Sequence, residues 1–353
     1  MNIFGTYKGN DVTLLLKDIT GLVDPQSTKE REKQIQNGRH YCEMLPIEYK
    51  PSEAYEKAFN DALMRYSKIT ADLVAAVAQK IWNRKGEKTV LVSLARAGTP
   101  IGILVKRYIL KKYGCDVPHY SISIIRGKGI DHNAMLYILN RHNASQIQFI
   151  DGWTGKGAIQ SELTKSMKAY PGVKSGLAVL SDPAGIADIY GSRDDFLIAS
   201  SCLNSTVSGL LSRTFLRDDI IGVNDFHGAV FYKELIKEDV TYKFIETVEH
   251  DFDLSDHLED HGKDTAEISS WEEIGQIAED FNITDINMIK PSIGEATRVL
   301  LRRLPWKILV HSLDDYSHLG HLYQLAEEKH VEVISYPLIN YRACGIIKNV
   351  AEV

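Results

Sequence analysis

The chain has 353 residues, of which 44% are hydrophobic and 25% charged, and its formal net charge is −6. This is enough apolar sequence for a large core divided over two or three domains, and no run approaches the 18 apolar residues a transmembrane helix needs. Four cysteines at 42, 115, 202 and 344, without CxxC spacing, exclude a disulfide scaffold and argue for a reducing compartment. The opening MNIFGTYKGNDVTLLL lacks a charged start followed by a sufficient apolar run, so a cytoplasmic location without membrane contact is expected.

Residues 38–44 (GRHYCEM) mix a cation, an imidazole, a phenol and an acid. They cap an acceptor pocket or form a surface loop around a tucked aromatic. Residues 52–84 carry apolar positions at three- and four-residue intervals behind Ser52, which predicts one long or broken helix. In residues 89–110 an apolar strand runs into Ala95-Arg96-Ala97-Gly98-Thr99, and a helix then begins at Pro100. Arg96 adds a planar donor fork suited to phosphate or pyrophosphate.

Residues 117–131 read as a strand leading into Arg126-Gly127-Lys128-Gly129, either a mobile basic loop that closes over a diphosphate or a solvated turn. Residues 147–159 (IQFIDGWTGKGAI) place Asp151 at a strand end and Thr154-Gly155-Lys156-Gly157-Ala158 at a helix start. Glycines there let the backbone close around an anion while unpaired amides point at it. The segment is neither a Walker loop nor a dinucleotide fingerprint. Two anion loops on one sheet suggest a ligand with two phosphate ends.

Further strands are predicted at 146–151, 176–181 and 195–199, with helices at 99–113, 132–142 and 157–169. This alternation implies an α/β fold with a mostly parallel sheet flanked by helices. Residues 198–214 are rich in small hydroxyl side chains around Cys202. One reading makes Cys202 a nucleophile activated by His227, with Asp225, Asn204 or Asn224 orienting the imidazole; the other makes it a small buried residue.

Residues 239–285 hold 15 Asp/Glu against 2 Lys/Arg, leaving the rest of the chain at +7, as suits a binder of polyphosphate or RNA. The stretch reads as an acidic connector between domains at 1–238 and 286–353. Its His257 and His261 have metal-ligand spacing, but a polar run of this kind reads more simply as a solvated linker. Residues 288–348 predict helix 292–303, strand 307–312, helix 316–329, strand 331–336 and a helical turn from about 341. They form a small α/β/α sandwich.

Residues 147–159 and 94–99 resemble the phosphoribosyl diphosphate signature and pyrophosphate loop of type I phosphoribosyltransferases. The resemblance implies that Asp151 contacts ribose hydroxyls and, through the ligand, magnesium. It gives the 5′-phosphate to Thr154–Gly157 and the pyrophosphate to Arg96, Ala97 and Gly98. Family members usually carry two adjacent acids, and here the second is Gly152. The C-terminal segment, with Gly294-Glu295-Ala296-Thr297-Arg298 and ILVHSLDD, resembles the pelota-type RNA-binding domain, which implies RNA contacts by Glu295, Arg298 and Arg302. The order of the two domains resembles a tellurium-resistance family, some of whose members are labelled StiP-type cysteine proteases. A phosphoribosyltransferase is the leading expectation, and the resemblance implies a fold whose transferases often pair as homodimers. A peptidase using Cys202 and His227, or a non-catalytic nucleotide sensor coupled to RNA, are the alternatives.

Overall fold

The computed structural model describes residues 4–256 and 268–349. Its main sheet is formed by β1 (Thr13–Leu14), β3 (Val90–Ala95), β4 (His119–Ile125), β5 (Gly129–Ile130), β6 (Ile147–Ile150), β7 (Leu177–Ser181) and β8 (Ile189–Ser192). The order is β1-β4-β3-β6-β7-β8, all neighbours parallel, while β5 turns back antiparallel on β4. Residues 90–94 and 147–150 are buried throughout, as expected for strands covered on both faces. A two-stranded ribbon, β2 (Lys17–Asp18) with β9 (Gly228–Ala229), lies beside the sheet path.

Helix α1 (Thr28–Gln36) begins at a capping box made by Ser27 and Glu30. The 33-residue α2 (Glu53–Lys85) contains no glycine or proline and stops at Gly86. Its buried stripe, including Phe59, Leu63, Val74, Val77 and Ile81, packs with α3 (Gly98–Tyr113) over one sheet face. Each such side chain contributes roughly 1.5–3 kcal/mol of burial. On the other face, α4 (His132–Leu139) and α5 (Ala158–Met167) cover Val90, Val92 and Phe149 with Met135 and Leu163. The strand expected at 195–199 is absent. The last parallel strand is β8, and Phe196 to Ala199 instead enter the core ahead of a 3-10 turn, Ala199–Cys202, against α2.

The acidic stretch divides rather than acting as one connector. Helix α6 (Thr241–His250) buries Phe244, Ile245 and Val248 against α2 and α3. Helix α7 (Ser270–Asp280) buries Ile274 and Ile277 in the C-terminal module. A period-3.6 apolar stripe thus outweighed the charge count. His257 and His261 lie outside the described residues.

The module's sheet has the order β10 (Ile289–Pro291), β13 (Ala343–Ile347), β11 (Pro305–Val310), β12 (Glu332–Ser335). Helix α7 covers one face, while α8 (Ile293–Arg302) and α9 (Tyr316–Glu328) cover the other, so the sandwich expectation holds. The helical turn expected from 341 is instead β13, a central strand antiparallel to both β10 and β11. Ala343 to Ile347 are fully enclosed there, as a central strand covered on both faces requires.

Helix α8 also packs outward. Ile293, Ala296 and Leu300 share one apolar cluster with Ile198, Cys202 and Val207 of the first domain. Asp195 clamps the joint: its carboxylate accepts from the Ile293 and Arg342 amides, each at 3.0 Å.

Candidate ligand cavity and thiol–imidazole pair

Strands β3 and β6 are neighbours, so the turns that follow them meet at the carboxyl edge of the sheet. Gly98 is needed at that meeting, because a Cβ there would stand 2.5 Å from the Ile150 carbonyl and 3.1 Å from the Asp151 Cα. Gly157 opens α5 in the left-handed region, with φ of 86°. Above these turns lies a cavity of about 520 Å³, within the range of small-molecule sites. Its walls come from both turns, from Tyr41 and Arg213, and from the C-terminal module through Lys290, Glu295 and Arg298.

Asp151 sits in this cavity and accepts the Gly152 amide at 2.8 Å. Burial raises its pKa to about 6, against the opposing pull of the Gly152 amide and Arg298. Ala97, Gly155, Lys156, Gly157, Ala158 and Arg126 also line the cavity. The convergence expected from sequence is therefore present.

The details of the two loops differ from expectation. Arg96 turns away, donating to the Leu211 carbonyl at 2.9 Å and to Asn204 Oδ1 at 3.0 Å. Thr99 bonds Ser121 inside the core, at 2.7 Å. Thr154 donates to Asp182 Oδ1 at 2.6 Å, and Lys156 donates to the Ile286 and Ile289 carbonyls of the module. Gly155 gives its carbonyl to the Tyr341 hydroxyl at 2.8 Å. The loop is thus closed by side chains and module backbone. Lys128 is exposed and outside the cavity walls, whereas Arg126 reaches the module at Asn287 Oδ1, 2.8 Å away.

Of the residues expected to meet RNA, Glu295 and Arg298 line the same cavity, and Arg302 faces the first domain beside it. Glu295 and Arg298 pair at 3.0 Å, and the Arg298 guanidinium lies 4.3 Å over the Trp153 ring. Arg302 donates to the Leu203 carbonyl at 2.6 Å. The apolar side of α8 must be buried, and burying it on the first domain takes these polar neighbours with it. This face is an internal joint in the structure, not an open RNA surface.

Cys202 and His227 are not brought together. Cys202 is 1% exposed among apolar neighbours, and burial pushes its thiol up to about 12. The His227 ring bonds Ser123 Oγ at 2.8 Å, and its amide donates to Asp131 Oδ2 at 2.5 Å. Asp225, expected to orient that imidazole, pairs with Lys17 at 2.6 Å, and Asn204 serves Arg96.

A different cysteine has an imidazole partner. His40 Nδ1 stands 2.9 Å from Cys42 Sγ, and His40 Nε2 stands 3.0 Å from the Arg126 carbonyl. A carbonyl can only accept, so Nε2 carries the proton and Nδ1 presents its lone pair to the thiol. The Cys42 amide, at 3.3 Å, donates to the same Nδ1. Tyr41, between the two residues, faces the cavity, and its hydroxyl oxygen accepts the Arg126 amide at 2.9 Å. Burial holds the thiol above its ordinary pKa and the imidazole below, so the proton rests on sulfur. Sequence reasoning passed over this pair, although the His-x-Cys spacing in residues 40–42 was the available signal. Lys290 and Arg213 were missed for want of any local signal.

Among the described residues no group of three or more His, Cys, Asp or Glu side chains is placed to hold a metal ion, and no helix is long and apolar enough to cross a membrane. With a single acid at the strand end, magnesium would have to arrive on a ligand's phosphates.

Comparison with known proteins now adds to the geometry. About a third of the chain is similar to a hypoxanthine-guanine phosphoribosyltransferase from Bacillus anthracis, at 16% identity over 35% of this chain and 76% of that one, with a TM-score of 0.27. A xanthine-guanine-hypoxanthine phosphoribosyltransferase from Helicobacter pylori gives 17% identity, 38% and 80% coverage, and a TM-score of 0.23. Residues 268–349 match the model of the PELOTA RNA binding domain. The cysteine protease StiP of Acinetobacter baylyi is 36% identical over 99% of this chain and 95% of its own length. Residues 5–249 match the family model described as tellurite-like stress resistance cysteine protease StiP, and the chain belongs to that family.

Proposed function

We propose that this chain is a cysteine peptidase whose nucleophile is Cys42 and whose general base is His40. The observation that supports it is the 2.9 Å approach of His40 Nδ1 to Cys42 Sγ, with the tautomer fixed by the Arg126 carbonyl. Nucleophile and base thus stand two residues apart on one short turn, and the orienting carbonyl comes from the turn after β4. Among the described residues Cys115 and Cys344 have no imidazole in hydrogen-bond contact, and Cys202 is sealed in apolar core.

In the reaction His40 Nδ1 takes the thiol proton, and the sulfur forms a bond to the substrate's carbonyl carbon. The imidazolium returns the proton to the departing amine as the peptide C–N bond breaks. Water, deprotonated by the same nitrogen, then hydrolyses the thioester and restores the thiol. Cys42 is fully covered here, beside the Leu216 carbonyl at 3.5 Å, while its partner His40 is tied to the turn at residues 126–129. The described arrangement is accordingly a closed resting form, and substrate entry requires the cover over Cys42 to open.

The test is hydrolysis of a quenched-fluorescent peptide library by the full chain. Activity lost in Cys42→Ala and kept in Cys202→Ala supports the assignment, and the reverse result overturns it. Phosphoribosyl transfer is the second reading, favoured by Asp151 at the end of β6 within the cavity. It would show as pyrophosphate release from phosphoribosyl diphosphate and magnesium that Asp151→Ala abolishes and Cys42→Ala leaves intact.

A further inference from the structure

The segment carrying the thiol and imidazole is held from two sides. Helix α1 runs straight into it, with only Asn37 to His40 between its last residue, Gln36, and the turn Tyr41–Glu43. From the other side the turn at 126–129 fixes two residues of the segment: the Arg126 carbonyl accepts from His40 Nε2 at 3.0 Å, and the Arg126 amide donates to the Tyr41 hydroxyl at 2.9 Å. Cys42 is 0% exposed, so a substrate reaches its sulfur only when this segment, or the one beside it at Leu216, moves.

Both holders are themselves held by the C-terminal module. In α1, Glu32 is 2% exposed and bonded to Arg303, Oε1 to Nε at 2.5 Å and Oε2 to Nη2 at 3.0 Å. A carboxylate enclosed in this way needs its cation, and a two-point guanidinium contact also fixes its direction, so the placement of α1 depends on the module. In the turn, the Arg126 guanidinium donates to Asn287 Oδ1 at 2.8 Å. Arg303 ends α8 and Asn287 precedes β10, so both grips ride on the same small domain.

The joint that brings the grips into place is lopsided. On one side, Ile293, Ala296 and Leu300 of α8 are packed with Ile198, Cys202 and Val207, and Asp195 ties the Ile293 and Arg342 amides. On the other side, around the cavity, the contacts are polar: Arg303 with Glu32, Arg126 with Asn287, and Lys156 with the Ile286 and Ile289 carbonyls. Apolar burial is lost when surfaces part, whereas polar contacts beside a cavity exchange for water at small net cost. The joint therefore opens first along its polar edge, pivoting on α8.

We infer that the C-terminal module is an autoinhibitory clamp on the Cys42–His40 site. Docked, its Arg303 and Asn287 hold α1 and the 126–129 turn in place, and with them the cover of the thiol. Parting of the polar edge releases both holders and admits substrate. The consequence for turnover rests on the peptidase reading; the clamp does not, because the accessibility of the thiol reports it directly.

The experiment uses the full chain carrying Asn287→Ala, Arg303→Met or both, substitutions in the module that leave the reacting groups untouched. Iodoacetamide labelling of each cysteine is followed by peptide mass mapping, and hydrolysis of the quenched-fluorescent peptide library is measured beside it. Expected is labelling of Cys42 several-fold faster in each single variant and tenfold or more in the double, with kcat/KM for peptides rising in step. Cys202 should label as slowly as in the native chain, because the pivot stays packed. Glu332→Gln, which removes a pair with Lys307 on the module's edge strand, should change neither rate. Asn287 is exposed, so its alanine variant remains a folded test where Arg303→Met, which strips Glu32 of its cation, does not fold. Labelling of Cys42 at the native rate in the folded variants overturns the clamp. So does an acceleration that Cys202 shares, since that is loosening of the whole joint. Faster labelling of Cys42 alone, with no peptide cleaved by any form, keeps the clamp and rejects the peptidase reading.

Discussion

Cys42 and Cys202 are both buried thiols beside polar sequence, yet only one has the surroundings of a nucleophile. Cys202 lies in the apolar joint between α2 and α8, with no base in contact and its thiol pushed up to about 12. Cys42 lies on a short turn whose preceding histidine offers an unprotonated nitrogen at 2.9 Å. The difference teaches that hydroxyl-rich composition does not make a reactive thiol. A base with a fixed tautomer does, and here a single carbonyl, that of Arg126, fixes it.

The sharpest test of this contrast is removal of each sulfur. Cys42→Ala should lower peptide turnover by at least about 10³-fold, whereas Cys202→Ala should leave kcat unchanged and cost about 1 kcal/mol of stability, read from urea melts. Exchanging the imidazoles comes next. His40→Gln should reduce kcat roughly 10²- to 10⁴-fold and flatten its pH profile, while His227→Gln, which loses only the Ser123 bond, should preserve turnover.

Acid stability extends the comparison to imidazoles sealed as His227 is. His119, held between Ser93 and the Asp11 carbonyl, and His321, beside Thr297, are both pushed down to about 4 by burial. Between their ordinary value near 6.5 and 4, the unfolded chain binds protons that the folded chain refuses. Each should therefore remove up to about 3 kcal/mol as pH falls through that window, and chemical melts at pH 7 and pH 4.5 would reveal it. The smallest effect concerns access. Arg126→Ala, which cuts the tie to Asn287, should speed iodoacetamide labelling of Cys42 several-fold and leave Cys202 unlabelled, as peptide mass mapping would record.

Much of the fold was legible because its signals are local. The strand at 90–95 and the helix at 53–85 follow from unbroken apolar runs and helical spacing, and the Asp151 turn announces itself through glycines and a strand-end acid. The strand at 343–347 was not legible, since a short apolar run before a chain end carries no period to separate helix from strand. The cavity was legible only in its floor. Its roof depends on Lys290, Glu295 and Arg298, whose approach to Asp151 is a product of docking between domains, and docking leaves no mark on spacing. The orientation of Arg96 failed for a related reason: a loop motif places a backbone, while the side chain follows whichever acceptor the neighbouring segment offers, here Asn204 and the Leu211 carbonyl.

The insertion of α8 into the core of the first domain has a practical side. Excising residues 268–349 as a fragment would strip Ile293, Ala296 and Leu300 of their cover and expose Glu295, Arg298 and Arg302 at once. A nucleic-acid pull-down performed on such a fragment would sample a sticky, cationic face that the intact chain keeps inside, and would overstate what the whole molecule can grip.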